Sequence, residues 1–149
     1  MNNKFANSKI YRISSSLGDL IYIGSTHGTL DNRFVRHAQD YFTYKRSGKC
    51  KVYSCEVFDA YGIANCRIEL LHNYPCNSKF ELSLEEGRVQ LMNLKYLTNK
   101  NIAGRSVKQY YNDKRADILK QKKDYYKNNS DKRKAYQNNY NQRKRESKS

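Results

Sequence analysis

The chain contains no run of about 18 consecutive apolar residues, the length that a helix needs to cross a lipid bilayer. Its first residues, MNNKFANSKIYRI, also lack the apolar core of a secretory signal peptide. We therefore expect a protein that works inside a cell and has no membrane partner.

The sequence has few cysteines, and none of them form a C-x-x-C pair. Their spacing fits no common zinc-binding pattern, and disulfides are rare inside cells. We therefore expect buried or half-buried thiols at Cys50, Cys55, Cys66 and Cys76, with a zinc site as the weaker alternative.

Acidic residues are also scarce, because 14 Asp and Glu residues oppose 29 Lys and Arg residues. The net charge of +15 favours a polyanionic partner such as nucleic acid or an anionic membrane surface, and of these two we expect nucleic acid. At 149 residues, the chain is long enough for one domain with a modest core.

The basic residues are distributed unevenly along the chain. Residues 1–103 have a net charge of +5 and hold nearly all of the Ile, Leu, Val and Phe, whereas residues 104–149 have a net charge of +10. The second segment, which we call the basic arm, has too few apolar residues to form a core. We therefore predict a folded domain at 1–103 and a basic arm at 104–149.

The basic arm has the features of a helix that binds nucleic acid. It lacks proline, is rich in Lys, Arg and Gln, and repeats tyrosines every fifteen residues, which is close to four helical turns. We expect a helix or a nascent helix whose basic side chains contact phosphates. The alternative is a solvated basic tail whose tyrosines have no specific role. The arm residues that we assign to nucleic-acid binding are Arg105, Lys108, Lys114, Arg115, Lys120, Lys122 and Lys123.

Two short runs rich in isoleucine and tyrosine, KIYRI and LIYIG, flank the turn-forming stretch SSSLGD near the N-terminus. This pattern predicts a β-hairpin. Because successive side chains of a strand point to opposite faces, Tyr11 and Tyr22 each lie on the face away from the neighbouring isoleucines.

Helical and extended segments follow the hairpin. A helix is predicted over residues 30–45 with Thr29 as its N-cap, and a second helix over residues 52–61. A strand follows in CRIELLHNY, and a third helix in NSKFELSLEEGRVQLMNLKY with Asn77 or Ser78 as its cap. The order β-β-α-α-β-α predicts an α+β fold with a small antiparallel three-stranded sheet flanked by helices.

Arg33, Arg36 and His37 share one face of the first predicted helix, because residues three and four positions apart are neighbours on a helix. Two of these side chains carry a permanent charge, and the imidazole can become charged. The sequence thus predicts a cationic face on this helix.

These motifs resemble one known family. The tripeptides KIY at 9–11 and YIG at 22–24 resemble the two signature tripeptides of the GIY-YIG endonuclease superfamily. Arg33 falls where that family carries its catalytic arginine, and the Arg-His pair that follows resembles its homing-endonuclease branch. EEGR falls at the family's metal-binding glutamate, and NKNIAGRS resembles the segment that closes the domain. The resemblance covers residues 9–105, and the lysine-rich tail after NIAGR is similar to that of members from large DNA viruses.

The resemblance implies a metal-dependent DNA endonuclease that hydrolyses phosphodiester bonds with Mg²⁺ or Mn²⁺ as its cofactor. In the viral members that the chain resembles, the metal-binding glutamate directly precedes a glycine, which selects Glu86 as the ligand and leaves Glu85 solvated. A single protein carboxylate suits Mg²⁺, which usually keeps several waters. A viral protein of this kind would work in the cytoplasm or nucleus of its host cell. The catalytic residues implied are Tyr11, Tyr22, Arg33, His37 and Asn101.

Two positions depart from the family pattern. Lys9 stands where the family name has glycine, and because glycine carries no functional group the change need not remove activity. An occasional family histidine after the first helix is replaced in GKCKVYS, where Lys49 or Lys51 stands instead. Together with Arg36, these lysines are expected to bind nucleic acid.

Two other classes of function remain open on the sequence. One is a catalytically silent nucleic-acid-binding module on the same fold, which would need neither Tyr11 nor Glu86. The other is a packaging protein that acts by charge alone, which would not explain the ordered N-terminal domain. DNA is the expected partner, and RNA is the alternative substrate.

Overall fold

A three-stranded antiparallel sheet organises the N-terminal part of the chain. The computed structural model describes residues 3–49 and 52–146. Strands β1 (Lys9–Ser15), β2 (Gly18–Thr26) and β3 (Cys66–Asn73) lie in the order β2-β1-β3, so the first strand is central. The predicted hairpin and the predicted α+β fold with a three-stranded sheet are confirmed.

Three helices flank the sheet, and they follow the predicted order. They are α1 (Leu30–Ser47), α2 (Cys55–Tyr61) and α3 (Lys79–Met92), with a short 3₁₀ turn at Ile63–Asn65 between α2 and β3. The predicted second helix was too long at its N-terminus, because the residues from Val52 to Ser54 form a turn that precedes α2.

Side-chain caps explain where two of the helices begin. The hydroxyl of Thr29 accepts a hydrogen bond from the backbone N–H of Asn32, and the hydroxyl of Ser78 accepts one from Glu81. The predicted cap Thr29 is confirmed, and of the two candidates for the third helix the structure selects Ser78. Each helix therefore starts where a hydroxyl can satisfy an otherwise unpaired backbone donor.

The two faces of the sheet pack against different helices. On one face, Ile10 and Ile23 contact Leu82 and Val89 from α3. On the other face, Tyr11 and Ile13 join Val57 and Phe58 of α2, with Phe34 and Tyr41 of α1 packed against them. The alternation of side chains along β1 places Ile10 on one face and Tyr11 and Ile13 on the other.

A short segment after α3 runs along the outer edge of β2. Leu97 forms an isolated parallel bridge with Ile21, and the amide side chain of Asn99 bonds both backbone groups of Ile23. The Asn99 nitrogen donates to the Ile23 carbonyl at 2.8 Å, and the Asn99 oxygen accepts from the Ile23 N–H at 3.0 Å. The amide therefore substitutes for a strand that would otherwise pair there.

The chain divides between Arg105 and Ser106 into two units. The second unit contains α4 (Val107–Asn128) and α5 (Ser130–Glu146), which are separated only by Asn129. Ser106 and Gln109 form a capping box at the start of α4. Helices thus form where the arm sequence predicts them. Within residues 3–49 and 52–146, no helix is both long and apolar enough to cross a membrane.

Gly87 allows the segment after α3 to pass close to that helix. A Cβ placed on Gly87 would collide with the carbonyl oxygen of Ala103, and it would lie 3.3 Å from the side chain of Ile102. Because the obstacle is backbone, no change of side-chain rotamer can relieve it. The close approach of this segment to α3 therefore requires glycine.

We expect Gly87→Ala to destabilise the N-terminal unit by about 1–3 kcal/mol, the usual cost of overpacking a close contact. For a domain of this size the melting temperature should fall by roughly 4–8 °C per kcal/mol, measurable by circular dichroism. Gly28→Ala is the control, because its Cβ would meet only the Thr26 hydroxyl, at 3.6 Å. Equal melting temperatures for Gly87→Ala and the unmodified protein would contradict the packing described here.

Candidate active site

The hydroxyl of Tyr11 lies at the centre of a cluster of polar side chains. The ring of Tyr11 is fully buried in the core. Its hydroxyl accepts a hydrogen bond from Nε of Arg33 at 2.7 Å and lies 2.8 Å from Nε2 of His37. The ring of Tyr22 lies next to the rings of Tyr11 and His37, with centroid distances of 6.3 and 5.1 Å. Four of the predicted catalytic residues therefore meet at one place.

The strand register explains why a glycine stands in the second tripeptide. Tyr11 pairs with Gly24 across the hairpin, and a Cβ on Gly24 would lie 2.5 Å from the Tyr11 hydroxyl oxygen. The same Cβ would lie 2.9 Å from the ring of Tyr22. Gly24 therefore leaves the space that both tyrosines occupy. Lys9, by contrast, is the first residue of β1, and its ammonium group donates to the carbonyl of Asn7 at 2.7 Å.

Helix α1 brings Arg33 and His37 to the sheet on successive turns. His37 is buried, with 2 % of its surface exposed, and its Nδ1 atom lies 2.8 Å from the hydroxyl of Ser54 at the start of α2. Arg33 is half-buried and Arg36 is exposed. The predicted cationic face is thus wrong in one respect, because His37 turns into the core and away from solvent.

Glu86 is held from two sides on helix α3. Ser25, the residue after the second tripeptide, donates its hydroxyl to Oε2 of Glu86 at 2.6 Å. Gln90, one turn further along α3, donates to Oε1 at 3.0 Å. The amide of Gln90 also donates to the carbonyl of Ile23 at 3.2 Å and accepts from the N–H of Ala103 at 2.8 Å. The carboxylate of Glu86 is therefore fixed relative to the sheet.

An open cleft of about 450 Å³ connects these groups. Its walls include Tyr22, Ser25, Arg33 and Glu86, and among the described residues that line it Glu86 is the one carboxylate. An adjoining groove of about 350 Å³ shares Ser25 and Arg33 with the cleft and continues to Arg36. Glu86, Tyr22 and the two arginines thus face one continuous depression.

Burial sets the protonation of the uncharged groups in the cluster. Desolvation, followed by the nearby charge of Arg33, lowers the pKa of His37 from 6.5 to about 3, so the imidazole is neutral at neutral pH. Desolvation raises the pKa of Tyr11, and proximity to Tyr22 raises it further. The pKa of Tyr22 is raised by burial and by the charge of Glu86. Both phenols are therefore protonated in the free protein.

The charged groups respond differently to the same surroundings. Burial raises the pKa of Glu86, against the opposing effect of the Ser25 hydrogen bond and the charge of Arg33. Burial acts to lower the pKa of Arg33, but its interactions with the two tyrosine oxygens outweigh that effect and raise it. Arg33 is therefore a permanent cation in the cleft, facing a carboxylate that is easier to protonate than a solvated one.

The family of the chain follows from comparison with known proteins. A family model described as the GIY-YIG catalytic domain matches residues 7–96, more than half of the chain. The chain belongs to the GIY-YIG family. Membership of this nuclease family implies a nucleic-acid substrate. Searches of curated proteins and of solved structures gave no match. The predicted family is confirmed, and the viral branch stays a prediction.

Of the two adjacent glutamates in this GIY-YIG domain, only Glu86 faces the cleft. Glu85 was expected to be solvated, and this expectation is wrong, because its side chain is nearly buried. It accepts two hydrogen bonds from Arg88, at 2.6 and 2.7 Å, and lies 2.8 Å from Nε2 of His72. The hydrogen bonds from Arg88 lower its pKa. Glu85 is thus engaged on another side of α3.

The remaining predicted site residues lie outside the cluster. The side chain of Asn101 is exposed and donates to the Tyr53 hydroxyl at 2.8 Å, and its catalytic role stays a prediction. Lys49 is exposed just beyond α1, and Lys51 lies outside the described residues. Arg105 is half-buried at the end of the first unit, and the other predicted arm residues are exposed on α4. These other arm residues are Lys108, Lys114, Arg115, Lys120, Lys122 and Lys123.

Three residues of the site lie outside the tripeptides and the charged motifs, and they were not predicted from the sequence. Ser25 and Gln90 hold Glu86, and Ser54 contacts His37. The position of Gln90 four residues after Glu86 on a helix was a usable signal, because such residues are neighbours. The contacts of Ser25 and Ser54 join residues far apart in the sequence, so only the fold brings them to the site.

The carboxylate of Glu86 fits a hard divalent cation that keeps most of its waters. Glu86 lines an open cleft of about 450 Å³, which has room for a hydrated ion. Among residues 3–49 and 52–146, no three His, Cys, Asp or Glu side chains group closely enough to hold a metal ion. Cys55, Cys66 and Cys76 are buried free thiols, as expected, and Cys50 lies outside the described residues. A zinc centre therefore has no support among these residues.

We expect the neutral state of His37 to give the protein a specific sensitivity to acid. The pKa of His37 is about 3 in the folded protein against 6.5 when solvated, so the unfolded chain binds the proton more readily. The stability from this group is present above pH 6.5 and lost as the pH falls towards 3. The free energy of unfolding should drop by up to about 1.4 kcal/mol per pH unit in that range.

The matched variant for this measurement is His37→Asn, which cannot titrate. The free energy of unfolding of both proteins is measured in urea between pH 7 and 4. The difference between the two proteins cancels the contribution of the carboxylates that both contain, such as Glu85. The expected difference is a steeper pH dependence in the unmodified protein. Parallel curves for the two proteins would mean that His37 is not held neutral.

Proposed function

We propose that the chain is a metal-dependent endonuclease that hydrolyses phosphodiester bonds in DNA. The observation that carries the proposal is that Arg33 and Glu86 line one open cleft and that the Arg33 guanidinium donates a hydrogen bond to the Tyr11 hydroxyl. Hydrolysis of a phosphodiester needs a proton acceptor for the attacking water, a cation for the phosphate and a stabiliser of the leaving oxygen. The residues of the cleft offer a group for each need.

The arginines are suited to hold the scissile phosphate. Arg33 lines both the cleft and the adjoining groove, and Arg36 lies one turn away in that groove. A guanidinium is always charged and matches phosphate oxygens with its fixed fork of donors. Arg33 also donates to Tyr11, so a phosphate bound to Arg33 would lie next to the tyrosine hydroxyl.

Tyr11 and His37 are suited to move the proton of the attacking water. A protonated phenol with a raised pKa cannot act as a base unless it loses its own proton. The neutral His37, 2.8 Å away, is the acceptor for that proton. The charge of Arg33 contributes to the low pKa of His37, and a phosphate bound to Arg33 would offset that charge. Substrate binding therefore makes His37 a better acceptor.

Glu86 would hold the divalent ion, with Ser25 and Gln90 fixing its two oxygens. A bound Mg²⁺ or Mn²⁺ would supply positive charge for the scissile phosphate and for the leaving 3′-oxygen. The raised pKa of Glu86 implies that a cation competes with a proton for this carboxylate, so activity should increase with pH.

The basic arm would supply affinity that does not depend on sequence. Residues 104–149 carry a net charge of +10, and the lysines of α4 are exposed. Such a segment binds duplex DNA by displacing condensed counterions. Because phosphate contacts carry no sequence information, the arm would keep the nuclease on DNA without selecting its target.

The proposal predicts that Glu86→Gln abolishes nicking of supercoiled plasmid in the presence of Mg²⁺ or Mn²⁺. The substitution keeps the shape of the side chain and removes the charge that would hold the ion. We expect the rate to fall by at least about 10²-fold, as for other losses of transition-state charge stabilisation. Gel separation of supercoiled and nicked plasmid measures the rate.

The control is Glu85→Gln, which removes the same charge from the neighbouring residue. Glu85 faces His72 and Arg88 instead of the cleft, so most of the activity should remain. Melting curves of both variants establish that each is folded. Equal loss of activity in two folded variants would contradict the assignment of Glu86, and nicking by neither variant nor unmodified protein would favour a silent DNA-binding module.

Removing three charges from α4 should weaken the salt dependence of DNA binding. Lys120, Lys122 and Lys123 are replaced together by glutamine, which has a similar helix propensity. The slope of log K against log salt concentration should flatten by up to about 2.7, since each neutralised phosphate contributes about 0.9. Fluorescence anisotropy with a labelled duplex measures this slope. Arginine at the same three positions should preserve it, and an unchanged slope in the glutamine variant would show that α4 does not touch DNA.

A further inference from the structure

Ser54 occupies the N-cap position of α2 but does not cap the helix. Its backbone has helical angles, φ −63° and ψ −20°, and its side chain makes no capping hydrogen bond. The residue is fully buried, with 0 % of its surface exposed. Its hydroxyl lies 2.8 Å from Nδ1 of His37, the ring nitrogen that faces away from Tyr11. The hydroxyl is therefore directed to the imidazole of His37, and it does not accept a hydrogen bond from the backbone of α2.

The donors and acceptors of this chain of contacts indicate its direction. Nε of Arg33 carries a hydrogen and can only donate, so the Tyr11 oxygen is the acceptor in that 2.7 Å contact. The phenol keeps its own hydrogen, and Nε2 of His37, 2.8 Å away, accepts that hydrogen when the ring is the Nδ1–H tautomer. A neutral imidazole that accepts at Nε2 carries its hydrogen on Nδ1. That hydrogen is then donated to the oxygen of Ser54.

We propose that Ser54 is a positioning residue that holds His37 as the Nδ1–H tautomer, so that the Nε2 lone pair is free to receive the phenol proton of Tyr11. The inference rests on the proposed function and extends it to a residue on α2. Without the Ser54 oxygen, Nδ1–H would be buried without a partner, and the ring would gain by carrying its hydrogen on Nε2. That tautomer cannot accept a proton from Tyr11.

The proton step that this arrangement serves is balanced as follows. As water attacks the phosphorus, one of its protons passes to the Tyr11 oxygen, while the phenol proton passes to Nε2 of His37. The product is a protonated phenol and an imidazolium whose Nδ1–H is still held by Ser54. The bond from phosphorus to the 3′-oxygen breaks, and the departing oxide takes up the proton that the imidazolium returns through the Tyr11 oxygen, which restores the neutral Nδ1–H tautomer.

The chemical nature of Ser54 suits a transient proton acceptor. The groups that face His37 are Tyr11 and Tyr22 from the sheet, Arg33 one turn away on α1, and Ser54 from α2. A carboxylate in the place of Ser54 would stabilise the imidazolium and keep the proton on the ring. An uncharged hydroxyl sets the tautomer without retaining the charge. With the hydroxyl as its partner, His37 can accept a proton and release it again.

The tautomer is observed directly by ¹⁵N NMR of histidine-labelled full-length protein near neutral pH. We expect a pyrrole-like Nδ1 and a pyridine-like Nε2 for His37, identified by the loss of its signals in His37→Asn. Ser54→Thr should keep this pattern, because the hydroxyl remains. Ser54→Val has nearly the same shape as Ser54→Thr but no hydroxyl, and it should shift His37 towards the Nε2–H tautomer.

The same two variants separate chemistry from packing in plasmid nicking. Overpacking at a buried position is common to both, so a purely structural role would lower both rates alike. We expect Ser54→Val to nick about 10- to 100-fold more slowly than Ser54→Thr, the usual loss for a partner that orients a functional side chain. Their affinities for DNA should be equal.

Three results would overturn the inference. They are an Nε2–H tautomer in the unmodified protein, an unchanged tautomer in Ser54→Val, or equal nicking rates for the two variants despite different tautomers. The NMR result decides the role of Ser54 even where no plasmid is cut, and the absence of cutting counts against the proposed function alone.

Discussion

The close contact between the Tyr11 ring and Gly24 is the constraint on which the rest of the site depends. The two residues pair across the hairpin, and any side chain at Gly24 would occupy the space of the ring. With the ring buried there, its hydroxyl emerges where α1 supplies Arg33 and His37. The position of the Tyr11 hydroxyl is thus fixed by the packing of its ring in the core.

A buried amide joins the carboxylate of Glu86 to the sheet and to the segment after α3. Gln90 is 1 % exposed, and its amide joins Glu86, the carbonyl of Ile23 and the N–H of Ala103. The edge segment that contains Asn99 and Ala103 therefore supports both β2 and the carboxylate. Such a network is costly when one member is removed, because the remaining buried groups lose their partners. This free-energy cost disfavours other arrangements of the side chains around Glu86.

The candidate site has a neutral part that is buried and a charged part that lines the cleft. Tyr11 and His37 are uncharged because burial disfavours their ionised forms, whereas Arg33 and Glu86 reach the open space. In the proposed mechanism, the neutral groups would exchange protons beside charged groups that would bind phosphate and cation. The arm contributes charge of another kind, exposed and distributed along α4, which suits affinity without selectivity.

The sequence alone determined the fold class, because short runs of isoleucine and tyrosine around turn residues favour a hairpin and capping residues mark the starts of the helices. It also determined Tyr11, Tyr22, Arg33 and Glu86 as the candidate site, through their spacing within a known motif. Only the tertiary structure decided which side chains are buried and which face the cleft. Neighbouring residues on a helix point about 100° apart, and packing selects which of them faces the cleft. That choice placed Glu86 in the cleft and Glu85 against Arg88, made His37 neutral, and brought Ser54 to it from a helix seventeen residues away.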